Sequence, residues 1–230
     1  MTNSFEAVIN IVAMNYFFDI RNRFDKNLIV VTAVLSIGFG IRNTCVLGWV
    51  PLLLLKMIQQ RALISYLKAF AYIFLPILAI VILSDSYFYG ELTFTPYNFI
   101  KVNILERKSE CFGVHKAHEY ITSYAPFIFK EQLLLIVPAF LYNVYVSISQ
   151  RTIPIIAIFF SISLLVVSLV PHKEMRFSVP FLPFIFMIIG QFTARLIKFR
   201  FVGKFIGILV LISAVVNVYR IYEFNEYKAI

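Results

Sequence analysis

A chain of 230 residues that is 60% hydrophobic, 17% aromatic and only 14% charged, with a mean hydropathy of +0.84, lies far from the soluble mix of about a quarter charged residues, so a lipid bilayer is its solvent. The formal net charge of +9 does not call for nucleic acid, because the basic residues fall in short connections between apolar runs, where positive-inside asymmetry places them. Cys45 and Cys111 have no metal or redox spacing and read as isolated thiols; a disulfide stays open if both face the lumen.

In chain order the apolar segments are residues 5–20, 28–41, 44–58, 62–84, 127–148, 153–170, 178–197 and 203–222. They predict an all-α polytopic membrane protein, one transmembrane domain over residues 1–230, with no signal peptide, repeat or linker. Several segments are shorter than the roughly 20 residues a helix needs to cross the hydrocarbon. The pair at 28–41 and 44–58 meets at Arg42-Asn43, as two short helices or one broken one. A polar break of that kind lines a cavity or packs inside protein; snorkelling of Arg42 from a helix end is the other reading.

Counting spans from a cytoplasmic 21–27 puts Arg21, Arg23, Lys26, Lys56, Arg61, Arg151, Arg195, Lys198, Arg200 and Lys204 on one side with only Asp25 against them, the better of the two parities. Under either parity the long loop 85–126 and the charged turn 171–177 share a face. The loop is too long for an idle connection and too aromatic for disorder. From Thr95-Pro96 it reads as a capped helix lying flat at the interface, with Tyr97, Ile100, Ile104 and Leu105 apolar and Asn98, Lys101, Arg107 and Lys108 polar.

The turn Pro171-His172-Lys173-Glu174-Met175-Arg176-Phe177 sets four ionisable groups between apolar runs. Translocon costs of about 2.5–3.5 kcal/mol per charge keep such a cluster out of hydrocarbon. Pro171 ends the preceding helix, while Ser178 and Pro180 read as N-cap and first turn of the next. The shared face offers carboxylates (Asp85, Glu91, Glu119, Glu174), imidazoles (His115, His118, His172) and cations (Lys101, Lys173, Arg176). Cations fixed where charge develops suit a departing lipid phosphate, and a carboxylate suits a base toward an acceptor hydroxyl. A metal on His115 and His118 is the weaker alternative, since no carboxylate-histidine signature surrounds them.

These residues carry a resemblance. Asp85…Tyr89-Gly90, Asn98-Phe99…Asn103, Gly113-Val114-His115…His118…Tyr120, Pro126 and, above all, His172-Lys173-Glu174-Met175-Arg176-Phe177…Pro180…Pro183 resemble glycosyltransferase family 22, mannosyltransferases of the endoplasmic reticulum that use dolichyl-phosphate mannose. Thr2-Asn3-Ser4-Phe5-Glu6 and Ile41-Arg42-Asn43-Thr44 resemble further family segments. Within the family the chain is most similar to the branch that adds the third mannose of the glycosylphosphatidylinositol (GPI) precursor. Asn43, Lys116, Glu119 and Tyr124 depart from the family's usual Pro, Pro, Trp and Gly.

The resemblance implies a GT-C-type helix bundle with a long luminal loop containing interfacial helices. It also implies an inverting, metal-independent transferase that needs no cofactor and meets a lipid-linked donor and a glycolipid acceptor in the membrane. It places Lys173 and Arg176 on the phosphate and makes Glu174 and Asp85 the catalytic candidates. His172, His115, His118, Tyr120, Asn98, Asn103 and Arg42 are the substrate-binding candidates. The family's first luminal loop, with its acidic Asp-Glu motif, lies upstream of Met1, so a fragment or a reduced homologue with an accessory subunit is expected. Three further readings stay open: a structural role for Glu174 beside Arg176 or Lys173, the asparagine-linked glycan branch of the same family, and an inactive subunit or a transporter. A transporter would gather ionisable groups at mid-span, where only Lys68 and Lys130 are candidates.

Overall fold

The computed structural model describes residues 2–21, 23–129 and 133–198, together with 204 and 208. Lys130, Arg200 and nearly all of the apolar segment 203–222 lie outside these residues. Among the described residues every regular element is helical: α1 (Thr2–Phe17), α2 (Lys26–Ile41), α3 (Trp49–Gln60), α4 (Leu63–Tyr89), α5 (Thr95–Ile100), α6 (Leu133–Ser149), α7 (Ile155–Leu169) and α8 (Met175–Leu196). With 27 and 22 residues, α4 and α8 are long and apolar enough to cross a membrane, while α2 and α7 are apolar but shorter.

The side chains are distributed as a bilayer dictates. Along α1 the buried positions Asn3, Glu6, Ala7, Asn10, Ala13, Met14 and Phe17 recur every three or four residues, and Phe5 and Val8 on other faces are 51% and 57% exposed. A helix that hides its carboxylate and amides, with Ile9 beside them, and shows Phe5, Val8 and Ile11 is facing lipid.

The chain forms two compact units, Met1–Ala125 with Ile155–Phe184, and Pro126–Pro154 with Ile185–Ile230. In the first, α1 packs on α2 and on the Met175–Phe181 turn that opens α8, and α3 packs on α7. Close approach of α1 and α2 needs Gly38, where an added Cβ would sit 2.7 Å from Cys45 Sγ and 3.0 Å from Ile9. In the second unit, Asn143 Nδ2 donates to Gln191 Oε1 at 2.9 Å, and Tyr142 and Phe192 have ring centroids 5.4 Å apart.

Helix ends are closed by side chains. Asp25 Oδ1 accepts from Leu28 N at 2.9 Å and starts α2. Lys56 Nζ donates to the carbonyls of Phe17 and Phe18, and Gln60 Nε2 to that of Ile20 at 2.7 Å, so α3 satisfies the open C-terminal carbonyls of α1. Lys56→Met removes a charged donor from two carbonyls and is expected to cost about 1–2 kcal/mol, read as a melting temperature lower by roughly 4 °C in detergent.

Arg42 and Asn43 separate α2 from a 3-10 turn, Asn43–Val46, that leads into α3. The break therefore packs inside the protein: Arg42 Nε pairs with Glu6 Oε2 at 2.7 Å, which rules out snorkelling. Two expected caps are corrected. The turn opening α8 begins at Met175 with Glu174 as its N-cap residue, and Ser178 Oγ donates back to Met175 O at 2.6 Å instead of capping. Phe94, not Thr95, occupies the N-cap of α5, because Thr95 Oγ1 is turned to donate to Asp85 Oδ2. Beyond α5 the chain continues through a π-type turn, Lys101–Leu105, and a 3-10 turn, Lys108–Phe112.

Candidate functional site

Pro171 cannot donate a backbone hydrogen bond, so α7 stops before it and its last carbonyls need other partners. The turn and the long loop bond the carbonyls that directly follow α7. Val170 O accepts from Lys173 Nζ at 2.6 Å, Pro171 O from His115 N at 3.0 Å, Lys173 O from Tyr124 OH at 3.2 Å, and Glu174 O from Tyr120 OH at 3.3 Å. His172 Nδ1 lies 3.3 Å from Gly113 O. The loop thus grips the turn through four hydrogen bonds or hydrogen-bond contacts spread over residues 113–124, and the two lie together.

Within the turn Glu174 is the hub. Its Oε1 lies 3.1 Å from His172 Nε2 and accepts from Arg176 Nη2 at 2.8 Å, while Oε2 pairs with Arg176 Nε. Burial opposes the Glu174 charge, but hydrogen bonds from Arg176 and His172, reinforced by their charges, outweigh it and hold the carboxyl below its ordinary 4.5. A carboxyl depressed on folding stabilises the fold above its ordinary pKa, and that contribution disappears as pH falls through the depressed value. The melting-temperature gap between wild type and Glu174→Gln is therefore expected to stay flat from neutral pH down to about 4.5 and to close below it, as followed by circular dichroism.

Lys173 turns the other way. It is 2% exposed, burial pushes its ammonium below the ordinary lysine range with Glu119 opposing, and it borders an open pocket with Arg107, Glu110 and His115. Lys173 and Arg176 therefore hold different partners, and no shared acceptor joins them.

Beside the turn lies a cavity of about 380 Å³, within the range of ligand sites. Its polar end is formed by Glu6, Asn10, Arg42 and Thr44, and its walls include Phe99, Phe159 and Phe177. Asn10 Oδ1 accepts from Trp49 Nε1 at 2.9 Å and Asn10 Nδ2 donates to Pro180 O at 3.4 Å, which fixes α1 to α3 and to the turn opening α8. Phe177 joins cavity and turn: the guanidinium carbons of Arg42 and Arg176 lie 5.7 and 5.8 Å from its ring centroid, within cation-π range.

The expected site residues divide accordingly. His172, Glu174, Arg176, His115, Tyr120 and Lys173 assemble around the turn, and Arg42 at the cavity. Asp85, near the end of α4, reaches the cavity wall only through Thr95, which lines it. His118, Asn98 and Asn103 are not drawn in. The His118 carbonyl accepts from Ile121 N, Thr122 N and Thr122 Oγ1, Asn98 is exposed, and Asn103 Nδ2 bonds its own helix at Phe99 O, 2.9 Å away. The sequence assigns no role to Glu6, Asn10, Thr44 and Tyr124; for Glu6 the available signal is a carboxylate inside an apolar helical stretch.

The model of the Alg9-like mannosyltransferase family matches residues 1–230, and the chain belongs to that family. It is 29% identical over 191 residues to GPI alpha-1,2-mannosyltransferase 3 of Bos taurus, covering 83% of this chain and 34% of the relative. The Homo sapiens protein of the same name is also 29% identical, with 83% and 33% covered. GPI mannosyltransferase 3 of Candida albicans is 32% identical over 194 residues, with 80% and 36% covered. The chain thus spans about a third of the length of these curated relatives. No solved structure gives a significant match.

Proposed function

We propose that the chain acts in a multi-pass mannosyltransferase of the endoplasmic reticulum membrane, of GT-C type, with the loop and turn on the luminal face. It moves mannose from dolichyl-phosphate mannose to a glycolipid acceptor, as the third mannose of the GPI-anchor precursor. The observation that carries this reading is the turn 171–177: a charged, internally paired motif gripped by the long loop and set against a cavity, in a chain whose relatives are named GPI mannosyltransferase 3.

In this reading the acceptor hydroxyl attacks the anomeric carbon, the bond from that carbon to the phosphate oxygen breaks, and dolichyl phosphate leaves as an anion. Arg176, largely exposed, meets the phosphate, and the buried ammonium of Lys173, held on Val170 O, adds its charge from behind the turn, so no bound metal is needed. Glu174 has both oxygens committed and serves as the positioning residue of the turn. Asp85, with one oxygen taken by Thr95 and the other without a hydrogen-bond partner among the described residues, is the better base toward the acceptor hydroxyl.

The test is rescue of cells that lack the third GPI mannosyltransferase. Expression of this chain, joined to any segment encoded upstream of it, is expected to restore GPI-anchored proteins at the surface and to clear the two-mannose glycolipid. Rescue instead of a lipid-linked oligosaccharide defect would move the assignment to asparagine-linked glycan assembly, and rescue of neither, at normal protein level, would overturn the transferase reading.

A further inference from the structure

The polar end of the cavity holds two atoms that the protein leaves unused. Glu6 is 6% exposed, and its Oε2 takes both Arg42 Nε at 2.7 Å and Thr44 Oγ1 at 3.5 Å. Its Oε1 has no hydrogen-bond partner among the described residues. Arg42 Nε is held in the ion pair with Glu6 and Nη1 donates to Thr2 Oγ1 at 3.4 Å, which leaves Nη2 without a hydrogen-bond partner among the described residues. Asn10, by contrast, is fully engaged by Trp49, Cys45 and Pro180. Glu6 lines the cavity, where a ligand hydroxyl supplies the donor that Oε1 lacks.

The charges decide which ligand. Glu6 and Arg42 cancel, and the other polar groups lining the cavity, among them Asn43, Thr44, Thr95 and Ser163, are neutral. A site without net charge gives a phosphate no advantage, whereas one free acceptor beside one free donor matches a pair of neighbouring hydroxyls. The aromatic rings of Phe99 and Phe177 offer an apolar face to the C–H side of a pyranose.

We propose that Glu6 and Arg42 form a hydroxyl-recognition subsite that holds a neutral sugar ring in this cavity, apart from the phosphate at the turn. This deepens the transferase reading, on which only the identity of the sugar rests, and it is tested by binding, so that its failure and a failure of transfer remain separate results.

Trp49 is the only tryptophan of the chain and donates to the cavity-lining Asn10, so its emission reports occupancy. The full chain in lipid nanodiscs is titrated with octyl α-D-mannopyranoside and, as a ringless control with the same tail, octyl tri(ethylene glycol). The mannoside is expected to change Trp49 emission saturably and to outbind the control. Glu6→Gln is expected to weaken it about 10-fold, as loss of one charged hydrogen bond predicts. Arg42→Lys keeps the ion pair and the fold but removes the fork, and is expected to weaken the mannoside similarly while leaving the control unchanged. Wild-type affinity in both variants, equal binding of the control, or no saturable response in either Trp49 emission or saturation-transfer NMR of the mannoside would overturn the proposal.

Discussion

For the transferase proposed above, Glu174→Gln is expected to lower mannose transfer by at least about 100-fold, the scale of a lost preorganised electrostatic contact, with the amount of protein in the membrane unchanged. The amide keeps the size of the side chain but cannot pair with Arg176 Nε and Nη2 while also meeting His172 Nε2. Arg176, 65% exposed, then swings away from Phe177, and the turn loses the restraint that aims it. Glu174→Asp keeps the charge on a shorter stem and recovers part of the rate. Lys173→Ala belongs in the same assay, microsomal transfer from dolichyl-phosphate mannose, because the buried ammonium is the turn's own tie to Val170 O. Full activity in both Glu174→Gln and Lys173→Ala removes the turn from the site.

Trp49→Ala produces the largest loss of stability. Its indole is 0% exposed, lies 5.6 Å from the Phe17 ring and 5.1 Å from that of Phe159, and so joins α1, α3 and α7. Removing it leaves a cavity with a cost of about 3–5 kcal/mol, seen by circular dichroism as a melting temperature more than about 10 °C lower. Trp49→Phe keeps most of the ring contacts but deprives Asn10 Oδ1 of its donor, at about 1 kcal/mol. A Trp49→Ala variant that melts within a few degrees of wild type would show that this aromatic junction does not hold the first unit together.

Much of this was legible in the sequence, and the lapses have physical reasons. The predicted span 62–84 stops at Asp85, because hydropathy ends at the first charge, whereas α4 runs on to Tyr89 and ends where Gly90 adopts φ 72°. The turn was legible because four ionisable side chains crowd between apolar runs. Its grip by the loop was legible only as a shared face, since the parity of spans says nothing of which backbone groups meet. Tyr124, a departure from the family pattern, turns out to hold Lys173 O. Glu6 went without a role because its partner, Arg42, lies on the far side of α2 in sequence, and only the packing of α1 on α2 brings them together.

The π-type turn Phe70–Phe74 within α4 works as a phase shifter. It carries one residue more than regular winding allows, and so rotates all that follows by about 100°. Asp85 meets Thr95 under that offset. Deleting a single residue from Phe70–Phe74 is expected to straighten the winding and turn Asp85 and Thr95 together relative to the helices before them, with no change to either partner.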